Sequence, residues 1–208
     1  MYTNLKKKSD IFMKLFSTII LFTISINTLA QTTPERKWIH TEATYSDSEG
    51  NTFSVTNSLP KGGGTYNNSE GKTYSYVNFW YRVTNTSEVP MELKIEFPNK
   101  QFVFFPSPNS HIRIFLPKET MTTEKIEMFD YGLSNLKDFL DTEFYEPSVL
   151  QKTINANEEY LFYVSVLIYQ AQGSARAAFV MKGNDLFYQI KIDPNDNEIP
   201  CGKIAFKN

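Results

Sequence analysis

The residues in this chain best suited to chemistry are few and scattered. There are two histidines, His40 and His111, and one cysteine, Cys201. A nucleophilic triad needs a nucleophile, a base and an orienting group within mutual reach. Neither histidine sits in a motif that gathers such partners, and both Gly-x-Ser-x-Gly and His-Glu-x-x-His are absent. A zinc site from the two histidines and the cysteine would also need a carboxylate, and no spacing supplies one. Cys201, within Ile199-Pro200-Cys201-Gly202-Lys203, reads as a small buried residue beside a turn. The sharper alternative for it is an intermolecular disulfide or a reactive thiol.

Carboxylates offer two further chemistries. A pair separated by ~5–10 Å would suit glycoside hydrolysis. Glu158 and Glu159 are adjacent, so a strand would aim them at opposite faces, and Asp138 and Asp141 share a helix face turned to solvent. Asp193, Asn195, Asp196 and Asn197 belong to an oxygen-rich segment of the kind that ligates calcium. That segment lacks the EF-hand spacing and its glycine, and an Asx-rich turn is its plainer reading. Calcium is the one cofactor these residues suggest.

Binding offers more. The loop from Ser58 to Lys72 contains Lys61 followed by Gly62, Gly63 and Gly64, with Tyr66 at its far end. Consecutive glycines permit positive φ, close backbone approach and an anion-holding nest of N–H groups. It lacks the spacing of a phosphate-binding P-loop. A flexible connector and a binding loop both fit, and Tyr66 could stack on a ligand or pin the loop. The stretch Tyr74 to Asn85 alternates as a long strand. Val77, Phe79, Tyr81 and Val83 form its core face. Tyr74, Tyr76, Trp80 and Arg82 lie on the other face. Those four could be an open aromatic platform for a sugar or peptide, or they could be covered by the glycine-rich loop or by a helix.

The elements that must position these residues are mostly strands. Met91 to Phe97 alternates apolar and charged residues, and reads as the antiparallel hairpin partner of the long strand. Residues 37–45, 52–57, 101–105, 111–116, 149–154, 176–182, 186–192 and 203–207 carry shorter strand patterns. Tyr160 to Tyr169 is apolar on both faces, as a central strand would be. Between Gly132 and Pro147, Leu133, Leu136, Phe139 and Leu140 recur at helical spacing. They predict one short amphipathic helix packed across or capping the domain. About ten strands with regular turns imply an all-β antiparallel sandwich. A closed barrel plugged by the helix is the alternative. The two long aromatic strands are expected at the centres of two facing sheets.

Bulk properties limit the partners. Lys6, Lys7, Lys8 and Lys14 precede an apolar run from Leu15 to Leu29, and Thr28-Leu29-Ala30 has the small-residue character of a cleavage site. Residues 1–30 are therefore expected to be a signal peptide, with a membrane anchor as the other reading, and 31–208 a single domain. The run is shorter than the ~20 residues a span needs. The chain has 21 Lys and Arg against 23 Asp and Glu; without the leader's four lysines and one aspartate, 17 face 22. An acidic balance argues against nucleic acid. One cysteine leaves no internal disulfide, so stability must come from packing, helped by the 15% aromatic content.

Two segments carry a resemblance. Tyr81-Arg82-Val83-Thr84-Asn85-Thr86-Ser87 running into Pro90-Met91-Glu92-Leu93, and Leu150 to Tyr160, resemble strand-turn-strand units of bacterial immunoglobulin-like domains. Through Leu59-Pro60-Lys61-Gly62-Gly63, Asp130-Tyr131-Gly132-Leu133 and Pro200-Cys201-Gly202-Lys203-Ile204 the chain is also similar to an exported bacterial family of such sandwiches without assigned activity. The resemblance implies a fold and brings no catalytic residues. The expectation is an exported, non-enzymatic β-sandwich that binds an envelope protein or a glycan, in the periplasm or at the cell surface. The alternatives are a structural or assembly component of the envelope and a carboxylate-dependent hydrolase.

Overall fold

The computed structural model describes residues 37–207 except 104, 108 and 172. The expected signal peptide and its cleavage site lie outside the described residues. The strands form two antiparallel sheets. The first contains β1 (Ile39–Ser46), β2 (Thr52–Ser58), β3 (Lys61–Asn67), β4 (Thr73–Asn85), β6 (Phe102–Val103), β7 (His111–Phe115) and β9 (Glu159–Tyr169). Its order is β1-β2-β4-β9-β7-β6, with β3 also paired to β4. The second contains β5 (Met91–Phe97), β8 (Ser148–Ile154), β10 (Ala175–Lys182), β11 (Asp185–Ile192) and β12 (Asn195–Phe206), in the order β10-β11-β12-β5-β8. The architecture is an all-β, sandwich-like pair of sheets.

Alternation explains the inner faces. Met91, Leu93, Ile95 and Phe97 of β5 are fully buried, while Lys94 and Glu96 are exposed. Phe79, Tyr81 and Val83 of β4 meet Val164 and Val166 of β9, Tyr188 and Ile190 of β11, and Phe179 of β10 in one core. Each such side chain contributes roughly 1.5–3 kcal/mol on burial. The Tyr81 hydroxyl donates to that of Tyr188 at 3.1 Å, so neither polar tip is orphaned inside the core.

The outer face of the first sheet is also covered. The connection from Pro117 to Pro147 lies over it and adds a third layer. It holds two 3-10 turns, Thr123–Lys125 and Phe129–Gly132, and the helix α1 (Leu136–Glu143). Leu136 and Leu140, one turn apart, are buried with Trp80, Tyr163, Leu167 and Phe115 of the sheet. The Glu119 carboxylate accepts from the backbone N–H of Ser134 and of Asn135 at 3.0 and 3.3 Å, just before α1 begins. Among the described residues no helix is long and apolar enough to cross a membrane.

Several expectations are corrected. β4 and β5 are not a hairpin; the chain crosses between sheets after Asn85. The Asn85 amide donates to the carbonyls of Val89, Ile154 and Asn155 at 2.8, 3.2 and 3.0 Å, and those bonds hold the crossing. β4 and β9 are not centres of opposite sheets but neighbours, with Phe79 facing Val164 and Trp80 facing Tyr163. They are aromatic on both faces because their sheet is covered on both. The glycine-rich stretch is not a loop throughout, since Lys61 to Asn67 pairs along β4.

Candidate ligand-binding site

Two segments meet over the outer face of β4. The first is β3, whose register holds at Lys61 opposite Asn78 and Gly62 opposite Val77, then shifts before Thr65 opposite Ser75. Gly62 and Gly63 have φ of 124° and 107°, a region open to glycine and strained for other residues. A Cβ on Gly64 would stand 2.6 Å from the Tyr76 hydroxyl oxygen. Glycine there lets the Tyr76 ring lie against the edge of β3.

The second segment is the turn at Phe129–Gly132. Asp130, Tyr131 and Gly132 have φ of 47°, 57° and 66°. The left-handed region costs a residue with a Cβ ~1–2 kcal/mol, and it is a true outlier for a ring as large as tyrosine's. Such strain persists only where the surroundings over-determine it. Here Tyr131 donates its hydroxyl hydrogen to the Leu59 carbonyl at 2.6 Å, and its own carbonyl accepts from the Tyr163 hydroxyl at 2.7 Å. Its ring meets Trp38 and Trp80 edge-on, with centroids 6.2 and 6.5 Å away. The Lys61 ammonium sits 3.9 Å from the Trp38 ring centre and 4.3 Å from that of Tyr131. It also donates to the carbonyls of Ile126 and Met128 at 2.6 and 2.8 Å. Lys61 thus clamps β3 to the connection, and its burial lowers its pKa.

Between β3, Tyr76 and α1 lies a cavity of about 280 Å³. Tyr66, Tyr76, Leu133, Leu136 and Leu140 give it apolar surface, and Thr65, Asn67, Asp130, Ser134 and Lys137 give it polar groups. Asp130 is 5% exposed. Its Oδ2 accepts from the Tyr76 hydroxyl at 3.2 Å, while its Oδ1 is buried without a partner. Burial raises the Asp130 pKa, opposed by the Tyr76 hydrogen bond and the Lys61 charge. An unmet buried acceptor costs ~1–3 kcal/mol, and more when charged. On the face of β4 that carries Tyr76, Asn78 Nδ2 and Trp80 Nε1 are also buried without partners among the described residues. At the rim, burial, with the Asp141 carboxylate adding to it, pushes the Tyr66 hydroxyl up to about 12. Asp141 is held below its usual range, chiefly by the hydrogen bond from Lys137, whose charge it balances.

The sequence-based candidates divide. Tyr66 and Tyr76 line the cavity, whereas Lys61, Gly62 and Gly63 lie earlier on β3 and are not among its lining residues. The open platform is overturned: Tyr74 and Trp80 are 1% and 0% exposed, beneath the Pro117–Pro147 connection. The Tyr74 hydroxyl lies 3.4 Å from His111 Nε2, away from the cavity. Arg82 is half-buried at the other end of β4, 3.7 Å from Glu159, with its guanidinium 5.9 Å from the Trp80 ring centre. The oxygen-rich segment is not one loop. Asn195, Asp196 and Asn197 open β12, where successive side chains alternate faces, and Asp193 pairs with Lys191 at 3.0 Å. Among the described residues, no cluster of three His, Cys, Asp or Glu is placed to hold a metal.

Asp130 was not a sequence-based candidate. Its one signal was the Asp-Tyr-Gly tripeptide, in which glycine marks a left-handed turn without revealing that two residues before it share the conformation. The chain matches no protein-family model, and comparison with the curated proteins and with the solved structures finds no match.

Proposed function

We propose that this is an exported, non-catalytic binding protein that holds a small polar ligand in the cavity between β3, Tyr76 and α1. One observation carries the reading: Asp130, a cavity-lining carboxylate in a strained turn, keeps a buried oxygen unpaired. Strain and an unmet acceptor both oppose folding, and such features collect where a ligand completes the site. The apolar walls with a few convergent polar groups match a ligand pocket. Export is supported by the basic, apolar leader pattern in residues 1–30.

Ligand-observed NMR against a library of small polar compounds tests this, using the wild-type protein and a Ser134→Trp variant. Ser134 is exposed at the cavity, so the indole fills it without entering the core. The expected result is a set of binders lost in the variant at unchanged Tm. Binders equally retained by the variant would rule the cavity out. Release of a product from any glycoside in the library would replace binding with the hydrolase reading, with Asp130 and Asp141 as its carboxylates. Cell fractionation tests export, with the protein expected outside the cytoplasm.

A further inference from the structure

We infer that two copies of this chain pair through β8, joining their second sheets edge to edge across a twofold axis. The contact involves none of the residues that line the cavity. β8 pairs with β5 on one side and with no strand of the described residues on the other. The direction of its free groups follows from β5. The Pro90 carbonyl accepts from the Lys207 N–H at 2.8 Å. The Lys94 carbonyl also faces β12, 1.9 Å from where a Cβ on Gly202 would stand. Successive residues of a strand turn their N–H and C=O groups to opposite sides. Leu93 and Ile95 therefore bond to Lys152 and Leu150, and Val149, Gln151 and Thr153 turn theirs outward. These residues are reachable. Val149 is 52% exposed, and Gln151 and Thr153 are exposed with it.

A free strand edge accepts another strand unless something blocks it. The opposite edge of the same sheet is blocked: the Asn57 side chain accepts from the Phe179 N–H at 2.8 Å and donates to its carbonyl at 3.4 Å. In the other sheet, β1 breaks register between Ile39 and Thr41, and β3 between Gly62 and Thr65. β8 has no such device. It runs against β5 from Ser148 to Ile154 without a register shift.

Charge and register favour a second β8 as the occupant. With Gln151 opposite Gln151 of the second copy, Val149 meets Thr153, and each outward N–H finds a C=O. Exposed Val149 gains a β-branched cross-strand neighbour. Lys152, the one charged residue of β8, stands opposite Leu150, so no like charges face each other. The charged side chains of β5 in the two copies, Glu92, Lys94 and Glu96, stay three strand spacings apart. That is about 14 Å, beyond the ~10 Å over which exposed charges act at 0.1 M salt.

Sedimentation velocity of the purified protein over a range of concentrations tests this, with two charge variants. Gln151→Lys sets two lysines against each other at the axis, and Gln151→Glu sets two glutamates. The expected result is a wild-type dimer that forms as concentration rises, a Kd at least tenfold weaker in each variant, and recovery when the two variants are mixed. Gln151→Pro removes an outward N–H without touching the ladder to β5, and should weaken the dimer likewise. Thermal unfolding checks that each variant is folded. A wild-type protein still monomeric at about 1 mM would overturn the inference. So would dimers that all three variants retain. Loss in both charge variants without recovery on mixing would overturn it too, because Gln151 would then not face its own copy.

Discussion

Tyr163 donates its hydroxyl hydrogen to the backbone carbonyl of Tyr131 at 2.7 Å, tying the middle of β9 to the centre of the left-handed turn. Both rings are buried, so neither end of the bond has water as a substitute. The bond holds Tyr131 where its neighbour Asp130 must face Tyr76. A central strand thereby sets the conformation of a residue that its own local sequence disfavours.

Replacing Tyr163 with phenylalanine keeps the ring and orphans that carbonyl. The expected cost is ~1–3 kcal/mol, seen as a fall in Tm of several degrees, with weaker ligand binding alongside it. A variant with wild-type Tm would show that the turn does not depend on this bond.

The ionisation of Asp130 predicts a stability profile of definite sign. Its pKa is raised in the folded state, so between the ordinary aspartate value and the raised one the folded protein binds more protons than the unfolded chain. Stability from this group therefore falls as pH rises through that window. Asp130→Asn removes the effect, although Tyr76, Lys61 and the Lys137–Asp141 pair remain nearby. At pH 7 the variant should be the more stable, and the gap should shrink as pH falls through the raised value and be closed below about 4, where the carboxyl is protonated in both states. Chemical denaturation from pH 3 to 8 measures it; a gap that widens on acidification would contradict the assignment.

Two glycines should respond to alanine to different extents. At Gly64 the new methyl would meet the far end of the Tyr76 side chain, which can swing away. Stability should fall by ~1–3 kcal/mol, because Tyr76 leaves Asp130 and a second oxygen of that carboxylate goes unmet, and binding should be lost with it. At Gly202 the Cβ would lie 1.9 Å from the Lys94 backbone oxygen, where β12 passes β5. No side-chain movement relieves that clash, and the loss should exceed ~4 kcal/mol. Urea unfolding and titration of both variants separate the two cases.

Cys201 should be chemically silent in the folded protein. It is 3% exposed, its thiol donates to the Leu186 carbonyl at 3.3 Å, and burial pushes its pKa up to about 12. Since the thiolate is the reactive form, Ellman's reagent at pH 8 should find no thiol until denaturant is added, and then one per chain. Prompt reaction without denaturant would place the sulfur at the surface.

Faces were legible in the sequence where partners were not. The parity of Val77, Phe79, Tyr81 and Val83 was readable because a strand's period is local. That β4 lies beside β9, or that β5 belongs to the other sheet, depends on which distant strand completes the layer. The aromatic richness of both faces of β4 and β9 was visible, and covering of the outer face was one of two readings available. The Leu133 to Leu140 stripe announced the helix that does the covering. Asp130 was beyond reach for a different reason. Nothing in Phe129-Asp130-Tyr131-Gly132 announces two non-glycine residues at positive φ; the turn is held by Trp38, by Leu59 and Lys61, by Tyr76 and Trp80, and by Tyr163, which lie far from it in the chain.

The covering of both sides of β4 and β9 means that the Pro117–Pro147 segment is no ornament on a finished sandwich. A chain trimmed of those residues would show water the indole of Trp80, the phenol of Tyr163 and the side chains of Phe115 and Leu167. Such molecules would adhere to one another, and loss of the outer layer would be met first as insolubility.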